Sequence, residues 1–161
     1  MKRDYYEIEL IHELNSTIDC FLDQITDKKI SIIKNNFCNK VLVQQTKAKN
    51  FLILTSILHH FIINMPPKGE LTIAIELVNP FLTKVIFSDN VPIHWKIFEQ
   101  EKDNLKITNH LSLAFNKLML ACADEEIMAH QGNNTFGNYF VLEYKAKRCP
   151  NNLNVIKGKF R

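Results

Sequence analysis

By residue type and spacing, His12, His59, His60 and Asp89 are the side chains of this chain best suited to chemistry. His12 directly follows Ile11 in an apolar seam, which places it at the edge of that seam, open to a docking partner. An imidazole that is partly neutral and nucleophilic near pH 7 can accept a phosphoryl group or pass one on. An ordinary surface histidine is the plainer reading of the same residue. His59 and His60 stand in a long apolar stretch with no Cys or acid at helical ligand spacing, so they read as core or core-edge residues and no metal site is expected. Asp89 opens the turn Asp89-Asn90-Val91-Pro92, where an aspartate serves as turn former or helix cap. Cys20, Cys38, Cys122 and Cys149 are scattered, without a CxxC pair, and read as reduced thiols that pack as small hydrophobes.

Elements must hold these groups, and the periodicity of the chain supplies them. Residues 4–26 read as one amphipathic helix, because Ile11, Leu14, Ile18, Phe21 and Ile25 recur at spacings of three and four with the acids left outside. Such a seam requires burial, either on this chain's own α/β domain or against a partner helix of a second copy. Ile30 to Lys34 and Lys40 to Gln44 are short strand candidates joined by the turn-prone stretch from Asn35 to Asn39. Ala48 to Asn64 is a mostly apolar helix, stopped by Met65-Pro66-Pro67 because proline cannot continue the backbone ladder and disfavours helix in the residue before it.

Leu71, Ile73, Ile75 and Leu77 alternate with Glu70, Thr72, Ala74 and Glu76, the period of a strand with one face on the core. A turn at Asn79-Pro80-Phe81-Leu82 returns the chain as a second strand ending at Ser88. Trp95 to Glu101 reads as a short helix, Gln100 to Thr108 as a polar stretch, and His110 to Ala123 as a helix. Glu126 to His130 and Asn138 to Tyr144 close the pattern as a hairpin around Gly132-Asn133-Asn134.

At 161 residues and 46% hydrophobic content the chain suffices for one compact domain with an appendage. No apolar run approaches the roughly 20 uncharged residues of a membrane span, and the opening Met1-Lys2-Arg3-Asp4 leads into an acidic helix, so a cytoplasmic protein is expected. The net charge of +3 is unevenly spread. Asp4, Glu7, Glu9, Glu13, Asp19, Asp23 and Asp27 crowd the first segment, while Lys145, Lys147, Arg148, Lys157, Lys159 and Arg161 fill the last without an acid. The basic tail lacks interleaved stacking aromatics, which argues against nucleic acid. The expected organisation is an amphipathic helix over residues 1–27, an α/β domain over 28–144 and a basic tail over 145–161.

The element order resembles the ATPase lobe of bacterial sensor histidine kinases. Pro66-Pro67-Lys68-Gly69, the two strands that follow, Asp89-Asn90-Val91-Pro92-Ile93 and Ile97-Phe98-Glu99 fall where that family has its Pro/Gly turn, two strands, "DNGxGI" and "IFE". The resemblance implies an α/β two-layer sandwich: a mixed, mostly antiparallel sheet with the Ala48 to Asn64 and His110 to Ala123 helices on one face, preceded by the amphipathic N-terminal helix. It also implies an ATP site. Asp89 keeps the place of the aspartate that accepts from the adenine amino group. The helix positions that hold magnesium and phosphate are Ser56, His60 and Ile63 here, a poor set for a hard octahedral cation. Val91 and Ile93 replace glycines. Thr108-Asn109-His110-Leu111-Ser112-Leu113-Ala114 keeps the packing residues of the second glycine box and none of its glycines, which removes the phosphate-cradling loop. Gly132-Asn133-Asn134-Thr135-Phe136 is similar to the family's "GxGTxF" hairpin. With the cleft emptied, Trp95 and Phe98 are expected to cap it.

Ile11-His12-Glu13-Leu14-Asn15-Ser16-Thr17 resembles the phosphoacceptor box of histidine kinases and phosphotransferases, which implies His12 as the phosphoryl carrier. The usual Arg and Pro are Asn15 and Thr17 here. Together these likenesses imply a two-component signalling protein, a phosphotransferase or pseudokinase adaptor without ATP or magnesium as cofactor. Its partners would be a response-regulator receiver domain or a sensor kinase, with a homodimer possible through the N-terminal helix. The alternative is a divergent ATP-using protein kinase of the same superfamily, a histidine kinase or one like the anti-sigma-factor kinases.

Overall fold

The computed structural model describes residues 6–37, 40–91 and 117–145. Seven strands and three helices run in the order β1 (Tyr6–Glu9), α1 (Leu10–Asp19), α2 (Leu22–Lys28), β2 (Ser31–Asn35), β3 (Leu42–Gln45), α3 (Lys47–Asn64), β4 (Glu70–Asn79), β5 (Leu82–Asp89), β6 (Met128–Asn134) and β7 (Gly137–Lys145). Residues 117–124 are also helical. A five-stranded sheet has the order β2-β4-β5-β7-β6, with β2 parallel to β4 and every other pair antiparallel. β1 and β3 form a separate antiparallel pair. The helices cover one face of the sheet, giving the expected α/β two-layer sandwich.

Strand alternation places Leu71, Ile73 and Ile75 of β4, Val85 and Phe87 of β5, and Phe140, Leu142 and Tyr144 of β7 in one core. Helix α3 meets them with Ile53, Leu54, Ile57, Leu58, Phe61 and Ile62, and the Phe61 and Phe87 rings stack with centroids 6.2 Å apart. Leu118 and Cys122 of the helix over 117–124 join the same core. The expected start of that helix at His110, the short helix at Trp95 to Glu101 and the basic tail beyond Lys145 lie outside the described residues. Cys122 packs as a core hydrophobe, but Cys20 is exposed.

The N-terminal segment departs from a single helix over 4–26. It begins as β1, paired with β3, and the helix breaks at Cys20 and Phe21. The Glu9 carboxylate sets the start, accepting from the backbone N–H groups of Ile11 (3.2 Å) and His12 (2.7 Å). The break follows from packing. Phe21 leaves the helical region at φ −114 and ψ 12, and its buried ring stacks on His59 with centroids 6.0 Å apart. Leu10, Leu14 and Ile18 are buried in the core shared with α3, so the apolar seam docks on this chain's own domain.

Helix α3 is held at both ends by side chains from distant elements. Its first turn has no cap of its own. The buried Glu125 accepts from Thr46 N–H at 2.7 Å, placing negative charge at the positive end of the helix dipole. At the other end Lys28 Nζ donates to the carbonyls of Ile62, Ile63 and Met65 at 2.8, 2.8 and 3.1 Å, satisfying groups the helix leaves open before Pro66. In the first turn, Tyr144 donates to Asn50 Oδ1 at 2.9 Å within the core.

Candidate functional site

The C-terminal half of α3 and the C-terminal end of β5 lie at the same end of the sandwich. The turn from Met65 to Gly69 leads from the helix end into β4, whose second residue, Leu71, pairs with Asp89. Lys68 takes a left-handed φ of 64 in that turn, and Asn90 accepts from Glu70 N–H at 3.1 Å, which ties the end of β5 to the start of β4.

Ser56, His60 and Ile63 follow one another along a face of α3 at helical spacing. The Ser56 hydroxyl donates to the Leu52 carbonyl at 2.7 Å, back into its own helix. The Asn64 amide lies 3.3 Å from His60 Nε2 and also donates to the His60 carbonyl at 2.8 Å. Ile63 is 56% exposed. Burial, and after it the neighbouring His59, lower the His60 pKa from 6.5 to about 4. The folded protein therefore binds fewer protons here than the unfolded chain between pH 6.5 and 4. Stability from this residue is present above pH 6.5 and is lost as the pH falls toward 4. The ring is only half-buried, so solvent screening reduces the effect to about 1 to 2 kcal/mol. Urea midpoints at pH 7 and 4.5 should show the wild type losing that much more stability than His60→Gln; equal losses would contradict it.

Asp89 is 7% exposed and turned inward. Its Oδ1 accepts from Val91 N–H (3.1 Å), Asn138 N–H (2.8 Å) and the Asn138 side-chain amide (3.1 Å), and the same amide reaches Oδ2 at 3.2 Å. Gly137 makes this approach possible, because a Cβ there would strike the Asp89 carbonyl oxygen and carboxylate. Val91, at a place where the resemblance implies a glycine, is buried in the core. Ser56 and His60 thus bond within α3 while Asp89 bonds across to β7.

Thr135 and Phe136 of the Gly132 to Phe136 motif form the tip of the β6–β7 turn, with Phe136 81% exposed and Asn134 Oδ1 accepting from its N–H at 2.8 Å. The pair that meets Asp89 is Gly137-Asn138, just past that motif. Sequence reasoning passed over Asn138 because its partner lies 49 residues away and no local pattern links them. Ile93, the stretch from Thr108 to Ala114, Trp95 and Phe98 lie outside the described residues.

His12 sits in the first turn of α1, exposed, on a helix whose other face packs into the sandwich core. No group of His, Cys, Asp and Glu able to hold a metal occurs among the described residues. No described helix is long and apolar enough to cross a membrane. A cavity of about 450 Å³ lies at the other end of β4, lined by Asn36, Val41 and Ile75–Val78, and includes neither Asp89 nor the α3 residues.

Comparison with solved structures decides the fold. The nucleotide-free catalytic domain of histidine kinase ThkA matches with a TM-score of 0.72 at 14% identity, over 89% of this chain and 96% of that one. This is the fold of a histidine kinase catalytic domain. The Acinetobacter baumannii histidine kinase AdeS matches at a TM-score of 0.68 and 13% identity, over 91% of this chain and 70% of that one. ThkA in complex with the response regulator protein TrrA matches at 0.70 and 16%, over 89% of this chain and 42% of that one. No family model and no curated protein matches the sequence.

Proposed function

We propose that the protein is a two-component signalling component that uses the histidine kinase fold without ATP, as a pseudokinase adaptor. One observation carries this reading: the α3 face presents a serine bonded into its own helix, a half-buried histidine of lowered pKa and an exposed isoleucine. None of these is a carboxylate, a carboxamide or a fixed cation. Such a set does not fit a magnesium ion or a triphosphate. The inward bonding of Asp89 supports the same conclusion.

Losing the metal ligand, the phosphate cation and the cradle amides costs on the order of 1 to 3 kcal/mol each, as for unmade hydrogen bonds to charged groups. At roughly 1.4 kcal/mol per decade this turns a micromolar site into a millimolar one or worse. Isothermal titration with ATP, with and without magnesium, should detect no binding tighter than about 100 μM. Tighter, magnesium-dependent binding would overturn the reading in favour of a divergent ATP-using protein kinase. The response regulator bound to ThkA supports a receiver domain as the partner, with a sensor kinase as the other candidate.

Phosphotransfer through His12 is the second reading, favoured by the exposure of that residue at the start of α1. Incubation with a phosphorylated receiver domain and recovery of acid-labile label tests it. Label that persists in His12→Ala, or fails to appear in the wild type, leaves the adaptor role alone.

A further inference from the structure

We infer that Asn138 closes the Asp89 corner of the site from within, acting as a built-in substitute for a ligand amine. The inference rests on the pseudokinase reading and deepens it, by naming the residue that determines whether an amino-bearing base can be recognised. A carboxylate only accepts, so a ligand group recognised by Asp89 must be a hydrogen-bond donor, as an exocyclic amine is. The Asn138 side-chain amide is such a donor, and it spans both carboxylate oxygens at 3.1 and 3.2 Å.

Two backbone N–H groups, from Val91 and Asn138, also donate to Oδ1. Asp89 and Asn138 are 7% and 2% exposed, so the pair is shielded from water and stays formed. Gly137 admits the strand close enough for the amide to reach. A carboxylate satisfied in this way offers an incoming amine little, because the amine must displace a bonded amide before gaining its own bond. Shortening residue 138 removes the competing donor while leaving both backbone N–H groups on Oδ1.

The test uses the full chain and adenosine, which carries an exocyclic amine and no phosphate, so the answer does not depend on magnesium or on phosphate ligands. Guanosine, which presents a carbonyl at the corresponding ring position, is the control. Ligand-observed NMR titration should give at least a tenfold gain in adenosine affinity for Asn138→Ala over wild type, with guanosine unchanged. Asn138→Thr, which keeps one hydroxyl donor to Asp89, should show a smaller gain and decides the matter if the alanine variant does not fold. Folded variants that bind adenosine no better than wild type, or that gain equally for guanosine, overturn the inference and leave the pseudokinase reading standing. Wild-type protein that binds magnesium-ATP tightly overturns that reading instead.

Discussion

Leu14→Asp should unfold the domain. Leu14 is fully buried on α1, in the core shared with α3 and the sheet. A carboxylate there has no cation within the apolar cluster, and burying an unpaired charge costs several kcal/mol even after relaxation. Domains of this size are stable by about 5 to 15 kcal/mol, so most of that margin disappears. Far-UV circular dichroism and urea titration should show loss of the cooperative transition, or a midpoint close to zero denaturant. His12→Ala, two residues away and exposed, should stay within about 0.5 kcal/mol of wild type. A Leu14→Asp protein that folds normally and changes only its oligomeric state would show that the seam serves a second copy.

Asp89→Ala should be the most damaging single change in the candidate site, at about 2 to 4 kcal/mol. The substitution removes the acceptor for Val91 N–H, Asn138 N–H and the Asn138 amide, and strands those donors in a water-poor corner. Asp89→Asn keeps an oxygen but turns an N–H₂ group toward the Asn138 amide, donor against donor, and should cost about half as much. Chemical denaturation measures both. Hydrogen exchange at the Val91 and Asn138 amides should accelerate in the alanine variant well before the global transition. A loss below about 0.5 kcal/mol would mean that Asp89 is not the strut between β5 and β7.

Period-2 alternation from Leu71 to Ile75 and the Pro66-Pro67 stop after a long apolar helix made β4, β5 and α3 legible in the sequence, because each signal is local and each element buries one face. The β6–β7 hairpin was legible too, but its turn was misplaced: Gly132-Asn133-Asn134 belong to β6, paired with Tyr139, Asn138 and Gly137, and Thr135-Phe136 make the turn. The N-terminal segment was not legible. Its spacing fits a continuous helix, and only the pairing of Tyr6–Glu9 with Leu42–Gln45 and the stacking of Phe21 on His59 divide it into a strand and two helices. Those contacts join residues 33 to 39 positions apart, beyond the reach of any periodicity.

The candidate site divides along the same line. Residue types alone determined that Ser56, His60 and Ile63 bring neither carboxylate nor fixed cation to their face of α3, since composition fixes what a position can coordinate. Only the tertiary structure decided what Asp89 does. As a turn former or a ligand acceptor it would have the same sequence, and the choice is made by strand β7, which brings Asn138 and the close-packed Gly137 against it from 49 residues away. Hydrogen-bond saturation of a buried carboxylate depends on which donors the fold delivers, and delivery across a sheet is a property of register that the local sequence does not carry.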